Sequence, residues 1–152
     1  MRARLLRDLP MGPIHGVPAM TELGATIASQ LRRGDVLTLT GDLGTGKTTL
    51  IQGICAALGV DAASVCSPTF ALVHNYAASA FRVCHADLYR LETFEELEAA
   101  GLDELLCQTD ELTLVEWPQV GATLWPHSAI HLHLQIDGDA RSVRQVGEQR
   151  VS

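Results

Sequence analysis

The chain has no apolar run that approaches the ~20 residues a membrane-spanning helix needs. It also lacks the apolar core of a signal peptide, because three arginines and three prolines fall within the first 18 residues. These absences argue against a transmembrane or secreted protein and predict a soluble, cytoplasmic one. At 152 residues the simplest organisation is one domain, with an irregular segment over 1–18.

No two cysteines form a C-x-x-C pair, so the zinc and redox motifs built on that spacing are not expected. The four cysteines are Cys55, Cys66, Cys84 and Cys107. In a reducing compartment, we expect them to be small buried apolar side chains.

Positive charge is scarce. The chain has 11 basic residues against 18 acidic ones, a net charge of −7, and no lysine or arginine lies between Arg90 and Arg141. Acidic side chains instead concentrate in residues 92–111. Such a surface repels phosphates, which disfavours direct, tight binding of nucleic acid. The acidic stretch is either a solvated helix face, the simpler interpretation, or a docking surface for a basic partner protein.

The one lysine of the chain, Lys47, lies in a segment that reads GDLGTGKT from Gly41 to Thr48. This is the G-x-x-x-x-G-K-[ST] pattern of a phosphate-binding P-loop. A compact ammonium suits the oxygens of a polyphosphate, and the planar guanidinium of arginine does not replace it well. A β-rich run over 36–40 precedes the glycines and a helical pattern over 47–58 follows them, which is the context that a true P-loop requires.

Nucleotide contacts are therefore expected along the whole loop. Backbone N–H groups and the positive end of the helix would hold phosphate oxygens, Lys47 would reach the β- and γ-phosphates, and the Thr48 hydroxyl would bind Mg²⁺. The predicted contact residues are Asp42, Leu43, Gly44, Thr45, Gly46, Lys47 and Thr48.

Such a site also needs an acid at the end of a neighbouring strand to hold the metal. Glu116 ends the apolar run 112–115, and Asp87 follows the run 81–86. We favour Glu116 for magnesium and Asp87 for orienting or deprotonating the attacking water, with the two roles open to exchange.

Three further features allow two interpretations each. Thr69, after Ser67 and Pro68, is either a sensor of the γ-phosphate or part of a proline turn. Trp117 either packs on a base, sugar or partner, or is a core side chain at a strand end. His131 and His133 share a strand face, but with no third ligand nearby we expect a solvent-facing pair rather than a metal site.

Alternation of strands and helices predicts an α/β fold: a three-layer P-loop sandwich with a mostly parallel sheet and antiparallel edge hairpins. Helices are expected over 21–33, over 47–58 and from the capping box that begins at Thr93. Beyond the strands already named, the pattern predicts strands over 70–76, 81–85, 130–136 and 142–146, the last pair joined by a turn at Asp137-Gly138.

Four segments together resemble one family. They are GDLGTGKTT from Gly41, SPTF with LV from Ser67, HADLYRL from His85 and VEWP from Val115. Their order and spacing resemble the TsaE family, formerly called YjeE, of bacterial ATPases in tRNA threonylcarbamoyladenosine biosynthesis. The resemblance runs from about residue 23 to 136 and is weak over 138–152. Where the family often has a threonine near the nucleotide, this chain has Met20.

The resemblance implies a protein that binds ATP or ADP with Mg²⁺ and hydrolyses ATP slowly. It would act with the TsaD and TsaB proteins, which modify the adenosine next to the anticodon in tRNAs reading ANN codons, and would meet tRNA only through them. The resemblance implies that Thr48 and Glu116 are magnesium ligands. It implies phosphate contacts by Gly44, Gly46, Lys47 and Thr49. It also implies that the ATP cycle requires Thr69, Asp87 and Trp117.

Two other functions are compatible with a P-loop. A P-loop small-molecule kinase usually needs an arginine-bearing lid, which the stretch without basic residues over 91–140 does not supply. A binding module without meaningful hydrolysis would differ from an ATPase only in turnover.

Overall fold

The computed structural model describes residues 2–68 and 71–147. Within them, six strands form one sheet in the order β2-β3-β4-β1-β5-β6. The strands are β1 (Val36–Thr40), β2 (Val73–Ala77), β3 (Arg82–Asp87), β4 (Glu111–Glu116), β5 (Ile130–Asp137) and β6 (Ala140–Val146), and the helices are α1 (Gly16–Ala28), α2 (Lys47–Ala57), α3 (Phe94–Ala99) and α4 (Leu102–Leu105). The four inner strands are parallel, and β2 and β6 are antiparallel to their neighbours at the edges. The predicted α/β fold class is confirmed.

Two apolar layers lie on opposite faces of this sheet. Strands β1, β3 and β4 are almost entirely buried, as expected of parallel strands covered on both sides. One layer packs α1 and α2 on side chains such as Leu37, Leu39 and Leu114. The other packs α3, α4 and a 3-10 turn (Pro118–Gly121) against Ala86 and Val115. The result is three layers, with the ends of β1, β3 and β4 meeting at one edge.

Helices α1 and α2 approach each other closely through glycine. A Cβ atom added at Gly24 would lie 2.7 Å from the backbone carbon of Gly53, and one added at Gly53 would lie 2.5 Å from the carbonyl oxygen of Thr21. No side chain larger than hydrogen fits at either position without moving a backbone. These two glycines therefore set the spacing of α1 and α2.

The segment before α1 is more ordered than an irregular tail. Ile14 and Arg141 exchange two backbone hydrogen bonds, of 2.6 and 2.9 Å. The side-chain amide of Gln145 accepts from the backbone N–H of Leu6 and donates to the carbonyl oxygen of Arg4. The segment therefore runs beside β6, and the expectation of an irregular 1–18 was wrong from Ile14 onward.

Several boundaries differ from the sequence prediction. Helix α1 begins at Gly16 rather than at 21, because Pro18 falls in its first turn, where a missing N–H costs nothing, and it ends at Ala28 rather than at 33. Strand β2 begins at Val73, because Leu72 has a left-handed backbone (φ 69°). The capping box is confirmed, since the Thr93 hydroxyl accepts from the backbone N–H of Glu96.

Two large apolar side chains at the ends of these elements are exposed. Leu105 is 42% exposed and Leu106 is buried in its place, because α4 ends at Leu105 after a single turn. Ile136 is 48% exposed, because it lies beyond His133, where the pairing of β5 with β1 ends, and near the turn of the β5–β6 hairpin. That turn is as predicted, with Gly138 at φ 63°.

Two further expectations about single side chains are corrected. His131 is buried and hydrogen-bonded to Thr38, and half-buried His133 bonds Thr40 at 2.8 Å, because β1 and β5 are parallel in a register that pairs these residues. They are not a solvent-facing pair. Cys66 is exposed, unlike Cys55 and Cys84. None of the helices among the described residues is long and apolar enough to cross a membrane.

Candidate functional site

The P-loop joins β1 to α2 and depends on glycines with positive φ. Gly41, Gly44 and Gly46 have φ of 141°, 81° and 98°, which side chains with a Cβ atom rarely adopt. A Cβ atom at Gly41 would also collide with the carbonyl oxygen of Leu134. Gly46 directly precedes α2, so the first N–H groups of that helix face the loop. The sequence folds here into a cradle with a helix N-terminus at its base, an arrangement that suits an anion.

Lys47 lies across the cradle and contacts the loop itself. Its Nζ donates to the carbonyl oxygens of Gly41 (2.6 Å) and Asp42 (2.9 Å) and lies 4.4 Å from the ring centroid of Trp117. The side chain is buried, and this burial lowers the pKa of Lys47, an effect partly offset by the nearby carboxylates of Glu116, Asp87 and Asp42.

The two acids predicted at strand ends lie side by side. Strands β3 and β4 pair Asp87 with Glu116, and the two side chains are only 4% and 2% exposed. The Thr48 hydroxyl donates to Oε1 of Glu116 at 3.2 Å. A hydroxyl and a carboxylate that meet beside a phosphate cradle form the donor set that Mg²⁺ takes in P-loop sites, so these residues fit the metal.

Asp87 is held by different partners. Its Oδ2 accepts from the Ser67 hydroxyl at 2.8 Å, and its Oδ1 accepts from the backbone N–H of Tyr89 at 3.0 Å. Both partners orient the carboxylate towards the cavity. The structure gives the two acids different surroundings, which the sequence did not reveal.

A cavity of about 300 Å³ brings most of the predicted residues together. It is lined by Leu43, Gly44, Gly46, Lys47, Thr48, Thr49, Asp87, Glu116 and Trp117, with Ser67 and Tyr89 added. Asp42 and Thr45 do not line it: Thr45 is buried and donates to the carbonyl oxygen of Asp42, and both line a separate cavity on the other side of the loop. Thr69 lies outside the described residues.

Trp117 is a site side chain rather than a core one. Its backbone is left-handed (φ 56°), and its ring lies 4.9 Å from that of Tyr89. This conformation turns the indole over Lys47 and the cavity. Tyr89 was missed as a site residue, although its position two residues after Asp87 offered a signal.

A second cavity of about 240 Å³ adjoins the first across Gly44, Gly46 and Thr49. Val17 and Met20 of α1 and Asp139 and Arg141 of the β5–β6 hairpin form its other walls. Nε of Arg141 donates to the carbonyl oxygen of Gly44 at 3.1 Å. No local sequence signal links these residues, because they come from distant parts of the chain.

The strand, loop and helix around Lys47, the strand-end acids and the parallel sheet define a P-loop nucleoside triphosphatase fold. Comparison with known proteins is consistent with that class. The crystal structure of YdiB from Bacillus subtilis superposes with a TM-score of 0.69 at 24% identity, over 91% of this chain and 84% of that one, which shows the fold.

Residues 14–146 match the family described as threonylcarbamoyl adenosine biosynthesis protein TsaE. The tRNA threonylcarbamoyladenosine biosynthesis protein TsaE of Borreliella burgdorferi is 35% identical over 75% of this chain and 82% of its own. The protein of that name from Bacillus subtilis is 37% identical over 80% and 72%. The chain belongs to the TsaE family, a family of tRNA threonylcarbamoyladenosine biosynthesis.

Proposed function

We propose that this protein is a Mg²⁺-dependent ATPase of low intrinsic turnover. It would support the transfer of threonylcarbamoyl to the adenosine next to the anticodon in tRNAs that read ANN codons, together with TsaD and TsaB. The observation that carries the proposal is the convergence of Thr48, Glu116 and Asp87 on one side of the cradle that contains Lys47.

Phosphate binding would exchange one set of contacts for another. In the structure Lys47 Nζ is satisfied by two carbonyl oxygens of its own loop. A bound triphosphate offers charged acceptors, and charge-assisted hydrogen bonds are about twice as strong as neutral ones. The ammonium would therefore turn from the loop to the β- and γ-phosphates, while the N–H groups at the start of α2 hold the remaining oxygens.

Thr48 and Glu116 would hold the metal, and Asp87 would act on water. Bound Mg²⁺ would neutralise charge on the phosphate oxygens. Asp87 lies beside Glu116, and its carboxylate is held by the Ser67 hydroxyl and the Tyr89 N–H. A carboxylate fixed in this way beside the phosphate cradle can orient or deprotonate a water next to the γ-phosphate.

The second cavity would take the nucleoside. It begins where the phosphate cradle ends, at Gly44 and Thr49, and its α1 wall is apolar through Val17 and Met20. A thioether packs well on a flat aromatic base. Met20 would thus replace the polar contact of the family's threonine with a packing contact.

The acidic residues between 92 and 111 would meet the partner proteins. In α3 and α4 the exposed acids include Glu95, Glu96, Glu98 and Glu104. This surface suits a basic protein face and repels tRNA phosphates, which is consistent with tRNA contact only through TsaD and TsaB. Glu95→Lys with Glu98→Lys should weaken capture by those partners. Glu22→Lys with Asp61→Lys makes the same change of charge at two exposed acids outside 92–111 and serves as the matched control.

The deciding experiment is ATP turnover by the purified protein, alone and with TsaD and TsaB. We expect slow release of phosphate to water that the partners accelerate, and loss of Lys47 should abolish both turnover and tRNA modification in cells. The proposal would be contradicted if the partners left the rate of ATP turnover unchanged and tRNA modification stayed normal after loss of Lys47. Transfer of phosphate to a metabolite would support the small-molecule kinase instead.

A further inference from the structure

His85, which has no role in the function proposed above, contacts Glu116, a residue proposed to bind magnesium. His85 is fully buried in β3, and its Nε2 lies 2.8 Å from Oε2 of Glu116. The other oxygen of Glu116 accepts from Thr48. The two carboxylate oxygens are thus divided between an imidazole on one side and the metal-binding hydroxyl on the other.

The opposite edge of the His85 ring is also held. The Tyr76 hydroxyl lies 3.4 Å from Nδ1 of His85 and donates to the carbonyl oxygen of Cys66 at 3.3 Å. Cys66 directly precedes Ser67, whose hydroxyl holds Asp87. A continuous set of contacts therefore connects both acids of the site, through β2 and β3, with the segment that follows α2.

Strand geometry explains why these side chains meet. β3 and β4 are parallel, with His85 opposite Leu114 and Asp87 opposite Glu116. His85 and Glu116 are diagonal neighbours on one face, a separation that long side chains bridge. A carboxylate that is 2% exposed needs such a partner, because an unpaired buried charge is costly.

We propose that His85 is a positioning residue for the magnesium site. It holds Oε2 of Glu116 so that Oε1 faces Thr48 and the metal, and Tyr76 fixes the ring that does so. This inference rests on the proposed function, since it assigns His85 to the same metal. It differs from a purely structural role because it predicts a change in metal affinity that is separate from nucleotide affinity.

The test measures the Kd of a fluorescent ADP analogue in EDTA and then over a titration of free Mg²⁺. Replacing the hydrogen-bonding partner of a metal ligand typically costs 10–100-fold in metal affinity. The Mg²⁺ midpoint is the free Mg²⁺ concentration that produces half of the Mg²⁺-induced change in the Kd of the ADP analogue. For His85→Leu we expect this midpoint to rise about tenfold or more. The Kd in EDTA should stay unchanged within about twofold. His131→Leu removes another buried, hydrogen-bonded histidine, away from this cavity, and should leave both values unchanged.

Tyr76→Phe is the second variant and keeps the core volume. It removes only the hydroxyl beside Nδ1, so it should move the Mg²⁺ midpoint in the same direction by a smaller factor. The inference about His85 would be overturned if both variants kept the wild-type Mg²⁺ midpoint. It would also be overturned if nucleotide binding weakened by the same factor with and without Mg²⁺. Neither result would contradict the proposed function. Absence of any Mg²⁺ effect on the wild-type protein would overturn the metal assignment of the proposed function as well.

Discussion

Asp87 and Glu116 are directly opposite each other in the register of β3 and β4, each as the last residue of its strand. They nevertheless bind different partners. Glu116 contacts Thr48 and His85, whereas Asp87 contacts Ser67 and a backbone N–H. Two carboxylates in equivalent positions of the register are thereby held in different surroundings.

This difference predicts separable defects. Glu116→Gln should abolish most of the Mg²⁺ dependence of nucleotide binding, because it removes the proposed metal ligand. Asp87→Asn should keep that dependence but lower turnover by roughly 10²-fold or more, the usual contribution of a positioned base. Binding titrations with and without Mg²⁺, beside phosphate release, separate the two. If Asp87→Asn loses the Mg²⁺ dependence and Glu116→Gln keeps it, the two roles are exchanged.

Lys47→Met should lose nucleotide binding without loss of stability. Burial lowers the pKa of Lys47, so the folded protein disfavours the ammonium relative to the unfolded chain, and an apolar chain of similar length avoids that cost. A ligand at about 100 times its Kd stabilises a protein by about 2.7 kcal/mol, or roughly 5–10 °C in Tm for a domain of this size. Thermal melts with Mg-ATP should show that rise in the wild type and not in Lys47→Met. If Lys47→Met showed a large fall in Tm without nucleotide, the buried ammonium would be stabilising the fold rather than destabilising it.

The indole of Trp117 should report nucleotide binding. The chain has two tryptophans, and Trp125 lies away from the cavity with its Nε1 donating to the carbonyl oxygen of Pro118. When Lys47 turns to a phosphate, the ammonium leaves the Trp117 ring, so the emission of Trp117 should change. Trp125→Phe should retain the change on adding Mg-ADP, and Trp117→Phe should lose it. The reverse pattern would show that the nucleotide does not disturb the contact between Lys47 and Trp117.

Cys66 should be the fast-reacting thiol of the native protein. Cys55 and Cys84 are fully buried, and burial raises the pKa of each to about 12, so at pH 8 very little of either thiol is the reactive thiolate. Burial also raises the pKa of Cys107, to about 11. Iodoacetamide at pH 8 should label one site quickly in native protein and four after unfolding. Cys66→Ser should remove the fast site, and rapid labelling that survives this change would refute the assignment.

Glycine at the α1–α2 contact should be necessary for stability. Gly24→Ala places a methyl group within 2.7 Å of backbone atoms in α2, and overpacking of this kind typically costs about 1–3 kcal/mol or more. Gly12→Ala is the matched control, because nothing lies within 4 Å of its added Cβ and its φ is not positive. Urea unfolding should show a lower midpoint for Gly24→Ala only. Equal midpoints for the two variants would mean that the helices separate at no cost.

The parts of the site that the sequence predicts are those formed by consecutive residues. The P-loop is one local structure, so its spacing alone indicates the cradle and the position of Lys47. Glu116 and Asp87 could be chosen because strand ends in a parallel sheet meet at one edge. The capping box at Thr93 was predictable for the same reason, since its hydrogen bond joins residues three apart.

Other features depend on register and on distant contacts. The bond of His131 to Thr38 follows from the pairing of β5 with β1, which the alternating pattern of β5 alone does not indicate. The second cavity joins the first turn of α1 to the β5–β6 hairpin, about 120 residues away along the chain. The role inferred for His85 needs the distance to Glu116, because a position 31 residues before Glu116 in the sequence does not indicate that the two side chains meet.

The contact between Ile14 and Arg141 has a consequence for the behaviour of the protein at high concentration. An outer strand offers free N–H and C=O groups that can pair with another molecule, and proteins prevent this by covering such edges. The segment before α1 occupies part of that outer side of β6, through Ile14 and through the side chain of Gln145. Removal of residues 2–14 would leave the nucleotide cradle in place but expose an unprotected β-edge, and the shortened protein would be the one that aggregates.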